Sequence, residues 1–301
     1  MSRGIPMLQT LRPRLPPWFK VNIREGPDYQ DIRRLTGSLK LHTICEEARC
    51  PNLWECWNSR TATFLILGDI CTRRCHYCAV TTGRPLPLDE AEPERVAEAV
   101  RVLGLRHAVI TSVNRDELPD GGATIFAETI RAVRRALPSC TIEVLIPDFM
   151  GDESALQTVL AAGPHILNHN IETVPRLFPS VRPQGKYARS LQLLAAASEL
   201  GAVTKSGLMA GLGETIEEVR AVMQELRRAG VSILSIGQYL QPTKAHWPMM
   251  RFYTPEEFQG LKDEGLALGF QHVESGPLVR SSYHAEEGAR RGGVQPLSGP
   301  G

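Results

Sequence analysis

Six of the seven cysteines in this chain fall into two triads of unequal spacing, Cys45-x4-Cys50-x5-Cys56 and Cys71-x3-Cys75-x2-Cys78. Thiols this crowded serve either as bridges or as metal ligands, and each use dictates how the backbone around them folds. A disulfide framework belongs to small secreted domains, whereas this chain has 301 residues, an odd cysteine count and no apolar signal segment at its start. Structural zinc, the strongest competitor, brings its thiolates in Cys-x2-Cys pairs that add up to four closed ligands, and neither triad divides that way. Three cysteines on a four-iron cluster leave one iron without a protein thiolate, and that vacancy is where chemistry happens. The expectation is two iron–sulfur clusters in one active site. Cys140, alone before the apolar run Thr141–Ile146, reads as a buried free thiol that packs as a small hydrophobe.

The length suits one large α/β domain with extensions, and 42% hydrophobic with 22% charged residues is ordinary for a globular chain. The net charge of +1 gives no sign of a nucleic-acid partner. No stretch approaches the ~18 apolar residues of a membrane span. The expectation is a soluble cytoplasmic protein with neither kind of partner. Residues 1–20 carry Arg3, Arg12, Arg14 and Lys20 with no acid, as a targeting leader does, but the Pro-Pro-Trp-Phe-Lys segment reads better as a docking arm in which Trp18 touches a partner, with simple surface packing as the alternative. The Gly-rich end, 288–301, reads as a frayed tail.

After an irregular cysteine-bearing segment of about sixty residues, short apolar runs alternate with amphipathic stretches. The predicted strands are Thr63–Leu67, His107–Ser112, Thr141–Ile146, His165–Asn168, Val203–Met209 and Ile233–Tyr239. The predicted helices are Pro93–Leu103, Ala123–Leu137, Ser154–Ala162, Tyr187–Leu200, Thr215–Ala229 and Pro255–Leu268. Pro93 in a first turn and acids near Glu214 and Glu256 serve as start signals. This alternation implies parallel βαβ units with right-handed crossovers. Six units are too few for a closed eight-fold barrel, so the fold class is α/β, a partial (β/α)6 TIM-like barrel, with a doubly wound sheet as runner-up. The division expected is an N-terminal extension (1–60) carrying the first triad, the partial barrel (61–275), and a C-terminal segment (276–301).

Polar residues gather after the strands, where the active-site face of such folds lies. The second triad follows the first strand, Asn114-Arg115-Asp116 the second and Asp148 the third. His169, Asn170 and Glu172 surround the end of the fourth, Lys205 and Ser206 lie in the fifth, and Gln238, Tyr239 and Gln241 surround the end of the sixth. One such residue is usually structural; six successive strand ends aimed at one face point to a binding site.

Cys71-x3-Cys75-x2-Cys78, with Tyr77 just before the last thiol, resembles the cluster loop of the radical S-adenosylmethionine (SAM) superfamily. The earlier triad, within Cys-Glu-Glu-Ala-Arg-Cys-Pro-Asn-Leu-Trp-Glu-Cys-Trp, is similar to the auxiliary-cluster motif of the lipoyl synthase family. The likeness continues through Thr111–Leu118, Asp120–Ala123, Asn168–Val174, Lys205–Met209, Gly237–Pro242 and Arg280–His284, and covers roughly residues 15–285.

The resemblance implies two [4Fe–4S] clusters: one on Cys71, Cys75 and Cys78 that reduces SAM, and an auxiliary one on Cys45, Cys50, Cys56 and a serine oxygen. That serine is Ser281 or Ser282, and Ser282 is the choice made here. It also implies SAM contacts at Tyr77, at the glycine turn Gly121-Gly122, and at Asn170, Glu172, Lys205 and Ser206; the other readings are an ordinary loop for the two glycines, a salt-bridged or capping role for Asn170 and Glu172, and fixing a carboxylate for Lys205 and Ser206. The implied reaction is insertion of sulfur at C6 and C8 of a protein-bound octanoyl-lysine, two SAM per product, with the auxiliary cluster consumed. The implied partners are the octanoylated glycine-cleavage H protein and the lipoyl domains of 2-oxoacid dehydrogenases, flavodoxin or ferredoxin as electron donor, and an iron–sulfur carrier for repair. Arg73 and Arg74, between the thiolates, would favour a negative cluster or attract an acidic donor. The competing functions are another two-cluster radical enzyme of the methylthiotransferase kind and a non-catalytic metal-stabilised binding module.

Overall fold

The structure is a computed structural model that describes residues 14–20, 26–48, 50–59 and 61–292. Its strands are β1 (His42–Thr43), β2 (Ala62–Ile66), β3 (Ile70–Cys71), β4 (Thr81–Thr82), β5 (His107–Ser112), β6 (Thr141–Leu145), β7 (Ile166–Asn168), β8 (Thr204–Ala210), β9 (Ile233–Gln238) and β10 (His272–Gly276). The helices are α1 (Pro27–Ser38), α2 (Ile44–Glu47), α3 (Leu53–Asn58), α4 (Glu92–Leu103), α5 (Ala123–Ala136), α6 (Glu153–Ala161), α7 (Phe178–Val181), α8 (Tyr187–Glu199), α9 (Ile216–Arg228), α10 (Pro255–Ala267) and α11 (Ala285–Arg291).

One eight-stranded sheet runs β1-β2-β5-β6-β7-β8-β9-β10. β1 pairs antiparallel to β2, and every other neighbour is parallel. The ends do not meet, so the barrel is open. β3 and β4 form a separate parallel pair that frames the second triad.

All six predicted strands and all six predicted long helices are present within a residue or two of their expected bounds. Their apolar character explains this: β2 is buried along its whole length, and Phe64 and Ile66 are fully buried, each contributing about 1.5–3 kcal/mol. Start signals hold α9 and α10, where Thr215 with Glu218 and Thr254 with Glu257 form reciprocal capping boxes.

Three expectations need correction. β10 is a seventh parallel strand, missed because His-Val-Glu-Ser-Gly offers no sustained apolar run. The described part of the first sixty residues is not irregular, since it carries α1, α2, α3 and β1, with Tyr29 stacked on Trp54 and Trp57 fully buried. The tail is helical as far as Arg291, with Gly288 packed beneath His272. Of the arm, Phe19 is buried against Phe252, with ring centroids 5.2 Å apart, and Trp18 remains exposed. Arg3, Arg12 and the chain beyond Gly292 lie outside the described residues. Cys140 is buried and free. No helix among the described residues is long and apolar enough to cross a membrane.

Candidate active site

A cavity of about 530 Å³ opens where the strands end. Its wall takes Cys71, Cys75 and Cys78 from one side and Cys45, Cys50, Ser281 and Ser282 from the other, joined by residues from the ends of β5, β6, β7, β8 and β9. A smaller cavity behind it is bounded by Cys45, Cys50 and Cys56 together with Arg280 and Ser282. Ser282 therefore shares a pocket with all three early thiols, and Ser281 reaches only the larger cavity.

The second triad is held from below by the barrel. Asn114, just past β5, donates its backbone N–H (3.3 Å) and its side-chain amide (3.7 Å) to Cys71 Sγ, and the Arg73 N–H donates to the same sulfur at 3.4 Å. Such donors set the electronics of a metal-bound sulfur. Arg73 points inward, not toward a donor protein. Its fully buried guanidinium grips Asp116 through two hydrogen bonds of 2.7 Å and Asp148 through one of 2.6 Å. Burial opposes ionisation of Asp148, but Arg73 prevails and holds the carboxyl well below its usual range. Asp116 and Asp148 thus anchor the loop without lining the cavity. Only Arg74 remains exposed.

The first triad is assembled from distant parts of the chain. Asn52 donates to the Leu278 carbonyl at 2.6 Å, and Tyr283 donates to Glu55 at 3.0 Å. Gly237, at the end of β9, lets the C-terminal segment approach, because a Cβ there would collide with the Val279 carbonyl oxygen.

Of the remaining predicted residues, Tyr77, His169, Asn170, Glu172, Gln238, Tyr239 and Gln241 line the large cavity. Glu172 has φ 70°, a conformation that costs a non-glycine residue roughly 1–3 kcal/mol. It is held there by its N–H to the Gly207 carbonyl and by Met209 N–H to its own carbonyl, both 2.9 Å. Burial raises its carboxyl, partly offset by Arg182. Burial likewise pushes Tyr77 well above its ordinary value, and the neighbouring Cys75 and Glu172 add to the shift. His169 is lowered to about 4, first by burial and then by Arg182, and is neutral at physiological pH. Its Nδ1–H donates to the Ile146 carbonyl at 2.8 Å, leaving Nε2 to accept from Ser190 at 2.9 Å.

Four of the residues predicted to contact SAM stand outside the cavity wall. Lys205 pairs with Glu143 at 3.0 Å inside the barrel, which matches the carboxylate-fixing alternative. Ser206 accepts from the Ile171 N–H and donates to the His169 carbonyl, fixing the segment that carries Asn170 and Glu172. Gly121 and Gly122, both at positive φ, form the turn into α5. The Asp120 carboxylate accepts from the N–H groups of Gly122 and Thr124, and a Cβ on Gly122 would strike Leu67. Arg182 was not predicted. It is buried, lines the cavity, and donates to the Asn170 carbonyl at 3.1 Å. The available signal was the acid-free run 173–198, in which Arg182 is one of four cations.

The donor set fits iron–sulfur clusters. Burial pushes Cys45 up to about 11 and Cys78 up to about 12, and it also raises Cys50, Cys56 and Cys75. These thiols ionise near neutral pH only with a cation against the sulfur, which bound iron supplies. Among the described residues no three His, Cys, Asp or Glu side chains converge on a single-ion site. The thiols instead surround cavities, as ligands of different irons in one cluster do. The large cavity also fits a polar cofactor, since Arg73 Nη1, Ser112 Oγ, Asn114 Oδ1 and Asn170 Oδ1 are buried without partners on residues in its wall.

The model of the radical SAM superfamily matches residues 65–226, so the class is that of radical SAM enzymes. The model of the N-terminal domain of lipoyl synthase of the radical SAM family matches residues 4–50. Lipoyl synthase of Rubrobacter xylanophilus is 62% identical over 284 residues, covering 93% of this chain and 88% of its own length. That of Chloroflexus aurantiacus is 59% identical over 276 residues, 91% of this chain and 90% of the other. The chain belongs to the lipoyl synthase family. Among solved structures, methylornithine synthase aligns with TM-score 0.54 at 14% identity, over 90% of this chain and 94% of its own. Streptococcus suis SuiB bound to S-adenosylmethionine aligns with TM-score 0.57 at 10% identity, over 77% and 57%. At these identities the likeness shows a shared fold.

Proposed function

We infer that this chain inserts two sulfur atoms, at C6 and C8, into an octanoyl chain amide-linked to a lysine of a lipoyl-domain protein. The observation that carries this reading is the cavity whose wall bears Cys71, Cys75 and Cys78 together with Cys45 and Cys50 of the first triad. Two [4Fe–4S] clusters and SAM supply the chemistry when bound: one cluster's electron cleaves SAM to a 5′-deoxyadenosyl radical that abstracts hydrogen, and the other cluster provides the sulfur.

The chain's own residues hold and orient these groups. Cys71, Cys75 and Cys78 hold the radical cluster, with Asn114 on Cys71 and the Arg73 clamp fixing the loop. Cys45, Cys50, Cys56 and Ser282 hold the auxiliary cluster. A hydroxyl is a harder and weaker ligand than a thiolate, so Ser282 would be the most weakly held of the four contacts to that cluster. Asn170, Glu172, Tyr77 and Arg182 surround the SAM position, and the unpartnered Oδ1 of Asn170 is free to accept from its polar groups. Ser206 and Lys205 support that wall from behind. Gly121 and Gly122 serve the loop packing on Leu67. Residues 1–60 and 276–301 act together as the auxiliary-cluster unit, and 61–275 as the radical-generating barrel. The finer reading takes glycine-cleavage H protein and lipoyl domains of 2-oxoacid dehydrogenases as carriers, flavodoxin or ferredoxin as reductant, an iron–sulfur carrier for repair, and the cytoplasm as location.

The test is an anaerobic reaction of reconstituted protein with octanoylated H protein, SAM and dithionite, read by mass spectrometry. The expected result is deoxyadenosine, a gain of two sulfurs on the carrier, and about eight irons per chain. Deoxyadenosine without sulfur transfer would instead favour another radical chemistry, and neither product would favour a metal-stabilised binding module.

A further inference from the structure

Charge is distributed unevenly along this nearly neutral chain. It has 33 acidic residues in 301, yet the stretches 72–88, 173–198 and 226–255 contain none. The fold brings parts of all three together on the outer side of the second triad. The His76 N–H donates to the Val181 carbonyl (2.9 Å), and its Nδ1 donates to the Ser180 carbonyl (2.7 Å). The Arg74 N–H donates to Gln184 Oε1 (3.3 Å), and the Trp247 N–H donates to the His76 carbonyl (2.7 Å). Four arginines of these stretches are neutralised by carboxylates: Arg73 by Asp116 and Asp148, Arg189 by Asp148, Arg176 by Glu218 and Arg251 by Glu257. Arg74, Lys186 and Lys244 are exposed, and among the described residues none of them is paired with a carboxylate.

We propose that this face, marked by Arg74, Lys186 and Lys244, is the docking surface for an acidic one-electron carrier protein that reduces the radical cluster. This rests on the radical reading above. Unpaired like charges fixed on a rigid face attract an oppositely charged partner and speed its encounter. A second feature favours an electron donor over the octanoyl carrier as the occupant. His246 donates Nε2–H to the Cys78 carbonyl at 3.0 Å, while its Nδ1 accepts from Thr243 at 2.8 Å, so an aromatic ring links this face directly to a cluster-loop cysteine. The cavity for the octanoyl chain lies on the inner side of the same loop. One electron leaves the reduced carrier, which is oxidised by one electron, and one electron enters the cluster.

The experiment compares the reconstituted wild-type protein with K186E/K244E and R74E/K186E/K244E. Flavodoxin is the probe, its Kd is measured at low and at high salt, and SAM cleavage is driven either by reduced flavodoxin or by dithionite. The expected result for the triple variant is a Kd weakened at least about tenfold at low salt, with the difference shrinking at high salt. Flavodoxin-driven cleavage falls in parallel, while dithionite-driven cleavage by the double variant stays at the wild-type level. The double variant, which leaves the cluster loop untouched, shows a smaller shift in the same direction. An unchanged flavodoxin Kd in both variants overturns the proposal, as does a raised KM for octanoylated carrier without a change in that Kd. Failure of the wild-type protein to cleave SAM with dithionite would instead overturn the radical reading.

Discussion

The two triads are built in opposite ways. Cys71, Cys75 and Cys78 occupy one short loop, pinned by Asn114 and by the buried Arg73 bridge to Asp116 and Asp148 at the ends of neighbouring strands. Cys45, Cys50 and Cys56 lie on short helices and turns, and their pocket is completed by Ser282, more than two hundred residues away in the chain. The first site is a property of the barrel. The second exists only when both ends of the chain close over it, through Asn52 to Leu278 and Glu55 to Tyr283. A cluster that only passes electrons is served by a rigid cradle, whereas one that gives up sulfur must be opened and rebuilt.

The largest effect expected from breaking this contrast is that of Cys75→Ala. Deoxyadenosine formation is abolished and iron falls from about eight to about four per chain, as read by product and metal analysis. Arg73→Ala strands Asp148 in the interior and costs roughly 3–5 kcal/mol in urea unfolding of the barrel. A loss below 1 kcal/mol would show that the loop does not depend on this anchor. Acid probes the barrel as well. Burial pushes Glu143 up, but Lys205 and His107 outweigh it and bring the carboxyl to about 2, against about 4.5 when unfolded. The folded-state value is depressed, so its stabilisation is complete above about pH 4.5 and is lost as pH falls toward about 2. The loss is a few kcal/mol, measurable by unfolding titrations across that window. Gly237→Ala forces Val279 away and costs about 1–3 kcal/mol. It selectively lowers auxiliary-cluster content, and equal loss of both clusters in the spectra would erase the contrast. Tyr283→Phe removes one exposed contact with Glu55 and costs under about 1 kcal/mol.

The barrel was largely legible because each of β2, β5, β6 and β9 is a largely apolar run closed by turn residues. β10 was not, since a five-residue strand ending in Glu-Ser-Gly owes its place to its neighbour β9 and not to its own pattern. The cysteines announced the site through spacing alone. Lys205 misled as a cofactor contact because it comes early in β8, away from the end where Gly207, Leu208 and Met209 meet the cavity. Arg73 misled because the sequence shows a cation between thiolates but not the two carboxylates that turn it inward. Ser282 parts from Ser281 only in the fold, where it alone of the two lines the small pocket with the three early thiols.

The separation of the two triads is tested most directly by Cys50→Ala, assayed anaerobically with octanoylated carrier, SAM and dithionite. The account predicts retained deoxyadenosine formation, about four irons per chain and no sulfur in the carrier. Loss of deoxyadenosine together with sulfur insertion would contradict it.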